Sequence, residues 1–361
     1  MSKKKRNFSV WLLIISLTIA ILYFFYSENE AKSTYVNVYE KLSSKEDIHY
    51  LIVGDSIGRG AGVEKRSLTW FNQWEKLMNE KFGVTFKRNS IVQSGATAFE
   101  GLYLFNHASN KPQADFIFIL FGENDRKYMN ANQFAYFYES LLREIKGIYP
   151  DAEMMTITES CLTDETFARE IKKLSTQYQT THIDMRIAFQ QSPYTKEQLS
   201  DDLVHPNYKG YQLYAEAIFK TIETRSDHYK KGQERVIDKP ATTRSFTEIN
   251  QYSKMNGNFI RKASDYCTNK AGASISYKFI GEHVGAKVLV GQEQGYIDVF
   301  IDQQYIRTLS TKWPVQKHRV LYIESQLPAG EHEVTFVYSN KNSTLKKKQP
   351  KIQISSILLY K

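Results

Sequence analysis

The chain has 361 residues, more than one hydrophobic core normally organises, since cores stop growing near ~250–300 residues, so at least two folded units are expected. With 42% hydrophobic and 14% aromatic residues the chain is neither disordered nor fibrous, and two cysteines without CxxC or HExxH spacing exclude a disulfide scaffold and a zinc motif. The net charge of +9 does not point to nucleic acid, because four of the cations, Lys3, Lys4, Lys5 and Arg6, open the chain.

An uncharged run, residues 8–26, follows directly, and as a helix rising ~1.5 Å per residue it comes close to the ~30 Å hydrocarbon thickness of a bilayer. Residues 1–27 therefore read as a basic cytoplasmic tip and one transmembrane anchor, with the rest of the chain outside the cell. A cleaved signal peptide is the alternative, but the apolar core is long for one and ends in Tyr23, Phe24, Phe25 and Tyr26. Residues 28–45, polar and charged, read as a stalk.

Residues 46–226 alternate between two periods. Apolar β-rich runs at 49–53, 84–92, 115–121 and 154–158 predict strands, and helical spacing of Phe71, Trp74, Leu77 and Met78, of Phe134, Phe137, Tyr138, Leu141 and Ile145, and of Phe167, Ile171, Leu174 and Tyr178 predicts helices between them. That alternation predicts an α/β unit with a parallel sheet covered on both faces. The charged stretch 227–240, ending at Pro240, reads as a linker. Beyond it, in 241–361, short alternating runs without helical period predict an all-β sandwich or barrel. Cys161 and Cys267 fall in different units and read as buried small hydrophobes.

In α/β sheets the ligand site lies beyond the carboxyl ends of the strands. The first strand ends in Gly54-Asp55-Ser56-Ile57-Gly58, a tight turn that would expose a serine hydroxyl as a nucleophile. It also matches GxSxG, and Gly58, Gly60 and Gly62 raise a phosphate-loop reading, but no Lys-Ser/Thr completes a P-loop. A serine needs a base, and the base an orienting acid. Among eight histidines, His205 stands out, in a loop before a helix and three residues after Asp202. Oxyanion donors are available at two further strand ends, the Gly95 N–H in Ser94-Gly95-Ala96 and the Asn124 side chain in Gly122-Glu123-Asn124-Asp125. No cofactor or metal is called for.

Taken together, Gly54-Asp55-Ser56, the Ser-Gly turn at Gly95, Gly-x-Asn-Asp at Asn124, and Asp202 with His205-Pro206-Asn207 resemble the four blocks of the SGNH (GDSL-type) hydrolases over about residues 49–222. Ile57 replaces the usual leucine. The resemblance implies a flavodoxin-like three-layer α/β fold, Ser56 as nucleophile, His205 as base, Asp202 as its partner, and an oxyanion hole from the Ser56 N–H, the Gly95 N–H and Asn124. The C-terminal unit is similar to the galactose-binding-like β-sandwich modules attached to such enzymes, in which Tyr296, Tyr305 and Trp313 could stack on sugars, although packing in the core is the commoner fate of each. The whole layout resembles membrane-anchored SGNH-type polysaccharide O-acetyltransferases, which act beside a membrane acetyl exporter. This implies O-acetyl transfer to a cell-wall polysaccharide, with an acetylesterase on the same polymers as the alternative and a non-catalytic wall-binding protein as a third reading. Lys346, Lys347 and Lys348 read as a solvated loop or an attraction for anionic polymer.

Overall fold

The computed structural model describes residues 37–229, 244–339 and 350–361. The run 8–26 with its basic tip, most of the linker, and Lys346, Lys347 and Lys348 lie outside the described residues. Within them no helix is long and apolar enough to cross a membrane.

Five strands, β1 (Ile48–Gly54), β2 (Phe86–Val92), β3 (Phe116–Leu120), β4 (Glu153–Thr158) and β5 (Thr181–Asp184), form a parallel sheet in the order β2-β1-β3-β4-β5. Side chains alternate across a strand, so β1 and β3 feed two cores at once. On one face Tyr50, Ile52, Phe118 and Leu120 pack with Trp70 and Trp74 of the helix Trp70–Phe82 and with Tyr211, Tyr214 and Ile218 of the helix Tyr208–His228. On the other, Leu51, Val53, Ile117 and Ile119 meet Phe99 and Leu102 of the helix Ala98–His107 and Phe134, Phe137 and Leu141 of the helix Ala131–Ile148. Double coverage is why these strands read as unbroken apolar runs. The strand order reverses between β1 and β3, and the crevice this opens at their carboxyl ends is the natural place for a ligand.

One expectation needs correction. The last part of the 28–45 segment is not a stalk: Val38–Ser44 is a helix capped by Asn37, whose side chain accepts from the Tyr39 N–H at 3.0 Å. Val38, Tyr39 and Leu42 are buried, and Lys41 pairs at 2.7 Å with the fully buried Asp115. Interspersed Glu40 and Lys41 mask that one-turn apolar face in the sequence.

The second unit holds β6 (Phe246–Ile249), β7 (Lys254–Asn256), β8 (Ile260–Lys262), β9 (Asp265–Thr268), β10 (Ser274–Ile280), β11 (Val284–Val290), β12 (Tyr296–Ile301), β13 (Gln304–Ser310), β14 (Lys317–Glu324), β15 (Glu331–Tyr338) and β16 (Ile352–Tyr360). They form two antiparallel sheets, β13-β12-β15-β10-β7 and β14-β11-β16-β9-β8, with β6 added to β16. Ile275, Tyr277, Ile297, Val299, Val334 and Phe336 of one sheet pack against Val288, Ile323, Ile354 and Ile357 of the other.

The two units share apolar surface. Val320 and Tyr322 of β14 and Leu358 and Tyr360 of β16 belong to the same buried cluster as Phe99 and Phe137. All nine residues of β16 are buried as a result, since both faces of its sheet are covered. The helix Ala98–His107 lies between the parallel sheet and β14, so it is apolar over a wide arc and shows no narrow stripe in the sequence.

Candidate active site

After Gly54 the chain turns sharply, and Asp55 shapes the turn: its Oδ1 accepts from the Ile57 N–H at 2.8 Å. Ser56 sits at the tip of β1, only 6% exposed. His205 arrives on the loop between the short helix Lys196–Leu199 and the helix Tyr208–His228. That loop is wound around Asp202, whose Oδ1 accepts from the Val204 N–H at 2.9 Å and the His205 N–H at 2.7 Å. Leu203 takes a left-handed φ of 61° to allow it, an uncommon conformation for a non-glycine residue.

The result is a continuous hydrogen-bonded chain. His205 Nε2 lies 2.9 Å from Ser56 Oγ, and His205 Nδ1 lies 2.6 Å from Asp202 Oδ2. Burial opposes ionisation of Asp202, but the hydrogen bonds from the His205 ring and from the His205 and Val204 backbone outweigh it and bring its pKa down to about 2. An ionised Asp202 holds the ring proton on Nδ1 and leaves Nε2 free to accept from the serine hydroxyl. Asp201 faces elsewhere, accepting from Asn207 Nδ2 at 3.0 Å. Gly62, with φ 104°, makes the approach of the two loops feasible: a Cβ there would lie 2.9 Å from that of His205. This gives the glycine-rich turn a packing role in place of the phosphate-loop reading.

The three expected oxyanion donors line one cleft with Ser56 and His205. Among the described residues, neither the Ser56 nor the Gly95 N–H donates to a protein acceptor. Gly95 adopts φ +71° after β2. Asn124 Nδ2 donates to Asp55 Oδ2 at 2.6 Å, which commits one amide hydrogen and orients the other. Behind Asp55 lies a buried acidic layer. Burial raises the pKa values of both Asp55 and Glu159, and the neighbouring Asp55 carboxylate pushes Glu159 up further. Glu159 Oε2 also accepts from the Glu123 N–H at 3.1 Å. Asp125 receives the Ala98 N–H at 2.7 Å, yet burial raises its pKa to about 8.

The second unit completes the site. Trp313, Pro314, Val315 and Lys317 form one wall of the cleft, whose volume is about 700 Å3. The Arg319 guanidinium, on β14, lies 4.6 Å from the Trp313 ring centroid, donates from Nη2 to the Gly95 carbonyl at 3.1 Å, and grips Glu100 through Nε at 3.0 Å and through a second bond from Nη2. Of the three aromatics weighed for sugar stacking, only Trp313 is in the cleft wall. Tyr296 lies 4.9 Å from the Lys312 ammonium, and Tyr305 is half-exposed against Phe300. Sequence reasoning missed Asp55, Glu100 and Arg319 as parts of the site. A charged Asp55 directly after an apolar strand was a usable signal, whereas the Glu100–Arg319 pairing spans 219 positions and had none. Among the described residues, no cluster of three or more His, Cys, Asp or Glu side chains could hold a metal ion.

Residues 52–213 match the family model described as the GDSL-like Lipase/Acylhydrolase family. No curated protein matches the chain. The solved structure of a two-domain esterase active on acetylated mannans is similar over both units: TM-score 0.66 and 14% identity, covering 90% of this chain and 94% of that one. Two others cover about half of the chain. A catalytic mutant of an acetylxylan esterase from Geobacillus stearothermophilus shares 17% identity at TM-score 0.41, over 48% of this chain and 94% of that one. A psychrotrophic esterase from Pseudoalteromonas sp. shares 13% at TM-score 0.41, over 50% and 98%. At such identities the likeness is one of fold.

Proposed function

Because residues 52–213 match the model of the GDSL-like Lipase/Acylhydrolase family, we propose that the chain handles acetyl esters of an extracellular polysaccharide through an acetyl-Ser56 intermediate. Ser56 Oγ attacks the acetyl carbonyl while its proton passes to His205 Nε2. The N–H groups of Ser56 and Gly95 and the free amide hydrogen of Asn124 hold the resulting oxyanion. As the intermediate collapses, the leaving oxygen takes the proton back from His205. A water or a sugar hydroxyl then attacks the acetyl-enzyme with His205 as base, giving acetate or an acetylated acceptor. Asp202 holds the imidazole and stabilises its cation throughout.

The unbroken hydrogen-bonded chain from Ser56 through His205 to Asp202 carries this reading. A polymeric substrate is supported by a cleft walled by both units and by fold similarity, across both, to an esterase active on acetylated mannans. The direction of reaction depends on what occupies the acceptor position. A membrane anchor at 8–26 favours transfer, because tethering beside a membrane acetyl exporter raises the effective concentration of the donor. Incubation with an acetyl ester, with and without wall polysaccharide, tests both. Transfer diverts label from acetate into polymer, whereas stripping of pre-acetylated polymer without any diversion makes the enzyme an esterase. Absence of serine labelling by a fluorophosphonate, with wild-type and Ser56→Ala alike, would leave a non-catalytic wall-binding protein.

A further inference from the structure

A second cavity of about 500 Å3 is walled by residues 58–64, Arg66, Phe71 and Arg88. Arg59, Ala61 and Val92 line it and the main cleft alike, so the two cavities adjoin. Its cations differ in their partners. Arg88 is saturated, donating to Glu75, Asn72 and Tyr50 and lying 4.2 Å from the Phe71 ring centroid. Arg59 and Arg66 are exposed, and among the described residues neither guanidinium has an ion pair or hydrogen bond. Glu64 is the acid in the lining. Across Arg59, the main cleft adds Lys317 from β14. Burial lowers the Lys317 pKa, repulsion from Arg319 and Arg59 lowers it further, and Glu100 offsets only part of this.

Cations crowded around a cavity and left without counter-ions match an anionic ligand, and a guanidinium pairs with a carboxylate or phosphate through two parallel hydrogen bonds. A neutral sugar offers no such partner. We propose that this second cavity is an anion subsite, in which Arg59 and Arg66 hold a carboxylate or phosphate borne by the sugar next to the acetylated one. The substrate is then an acetylated acidic glycan. This rests on the ester-chemistry reading of Ser56.

The test uses the full chain in mild detergent and compares acetate release from acetylated polygalacturonate, acetylated mannan and 4-nitrophenyl acetate. At about 20 mM salt the acidic polymer is expected to be favoured by ~10-fold in kcat/KM, and by much less at about 500 mM, where screening is strong. The double change Arg59→Gln and Arg66→Gln, at two exposed positions, should remove that preference through KM, with kcat on the acidic polymer nearly kept. Competition by unacetylated polygalacturonate and by poly(glycerol phosphate) separates the sources: the stronger inhibitor names the anion. Equal rates on the two polymers, or a preference that survives the double change, overturn the subsite alone. Failure to cleave any of the three, the small ester included, removes the ester-chemistry reading and the subsite with it.

Discussion

Ser56→Ala removes the atom proposed to carry the acyl group, and His205→Ala the only base within reach of it among the described residues. Each should lower acetyl-ester turnover by ~10³-fold or more with the melting temperature little changed, read from initial rates and calorimetry. Asp202→Asn should cost far more than Asp201→Asn, since only Asp202 reaches His205; the reverse order would refute the assignment of the acid. A different test concerns stability. The Asp125 pKa of about 8 in the folded chain stands above an unfolded value near 3.8. Between those values the folded state keeps a proton that the unfolded state has lost, so stability falls as pH rises from about 4 to about 8. Asp125→Asn keeps an acceptor for the Ala98 N–H without that titration. Its melting temperature relative to wild type should climb from pH 5 to pH 8, and a flat difference would show that Asp125 is ionised in the fold. Ser56, Asp202 and His205 were legible because local spacing encodes them: one lies at a strand end, the other two three residues apart. The neutral state of Asp125 was not, since it comes from burial under a helix that packs there only in three dimensions.

Between elements, the contact that matters most to the site is that of β14 with the helix Ala98–His107. Arg319 and Glu100 form it with side chains 5% and 4% exposed, and removing one partner of such a buried pair strands the other charge at a cost of ~3–5 kcal/mol. Arg319→Gln should therefore lower stability by about that amount in urea melts, again ~3–5 kcal/mol. Joint replacement by Arg319→Met and Glu100→Leu should recover much of it. If turnover stays low in the recovered double variant, the bond from Arg319 to the Gly95 carbonyl holds the oxyanion loop in place. The long strands and the helices with a narrow apolar stripe were legible from their periods. Short strands such as β7, β8 and β9, at three or four residues, are too brief to show one, and β13 is interrupted opposite Val299 and Phe300 by a register shift.

For the whole molecule, the sequence suggested two units, 46–226 and 241–361, joined by a linker. The shared cluster changes that expectation. Without Val320, Tyr322, Leu358 and Tyr360, the side chains of Phe99 and Phe137 lose their cover, and a chain lacking residues 241–361 should aggregate or unfold without a sharp transition. The intact chain should melt in one calorimetric step; two resolved steps would show that the units fold independently. Composition and linker could not reveal this, because an apolar strand face looks the same whether it covers its own sandwich or a neighbour. The same shared cluster also means that the two walls around Ser56 cannot swing apart as a hinged pair would. The cleft is a slot of set width, and on the proposed polysaccharide reading it acts as a gauge: linear stretches should react readily while densely branched ones are turned away by girth alone.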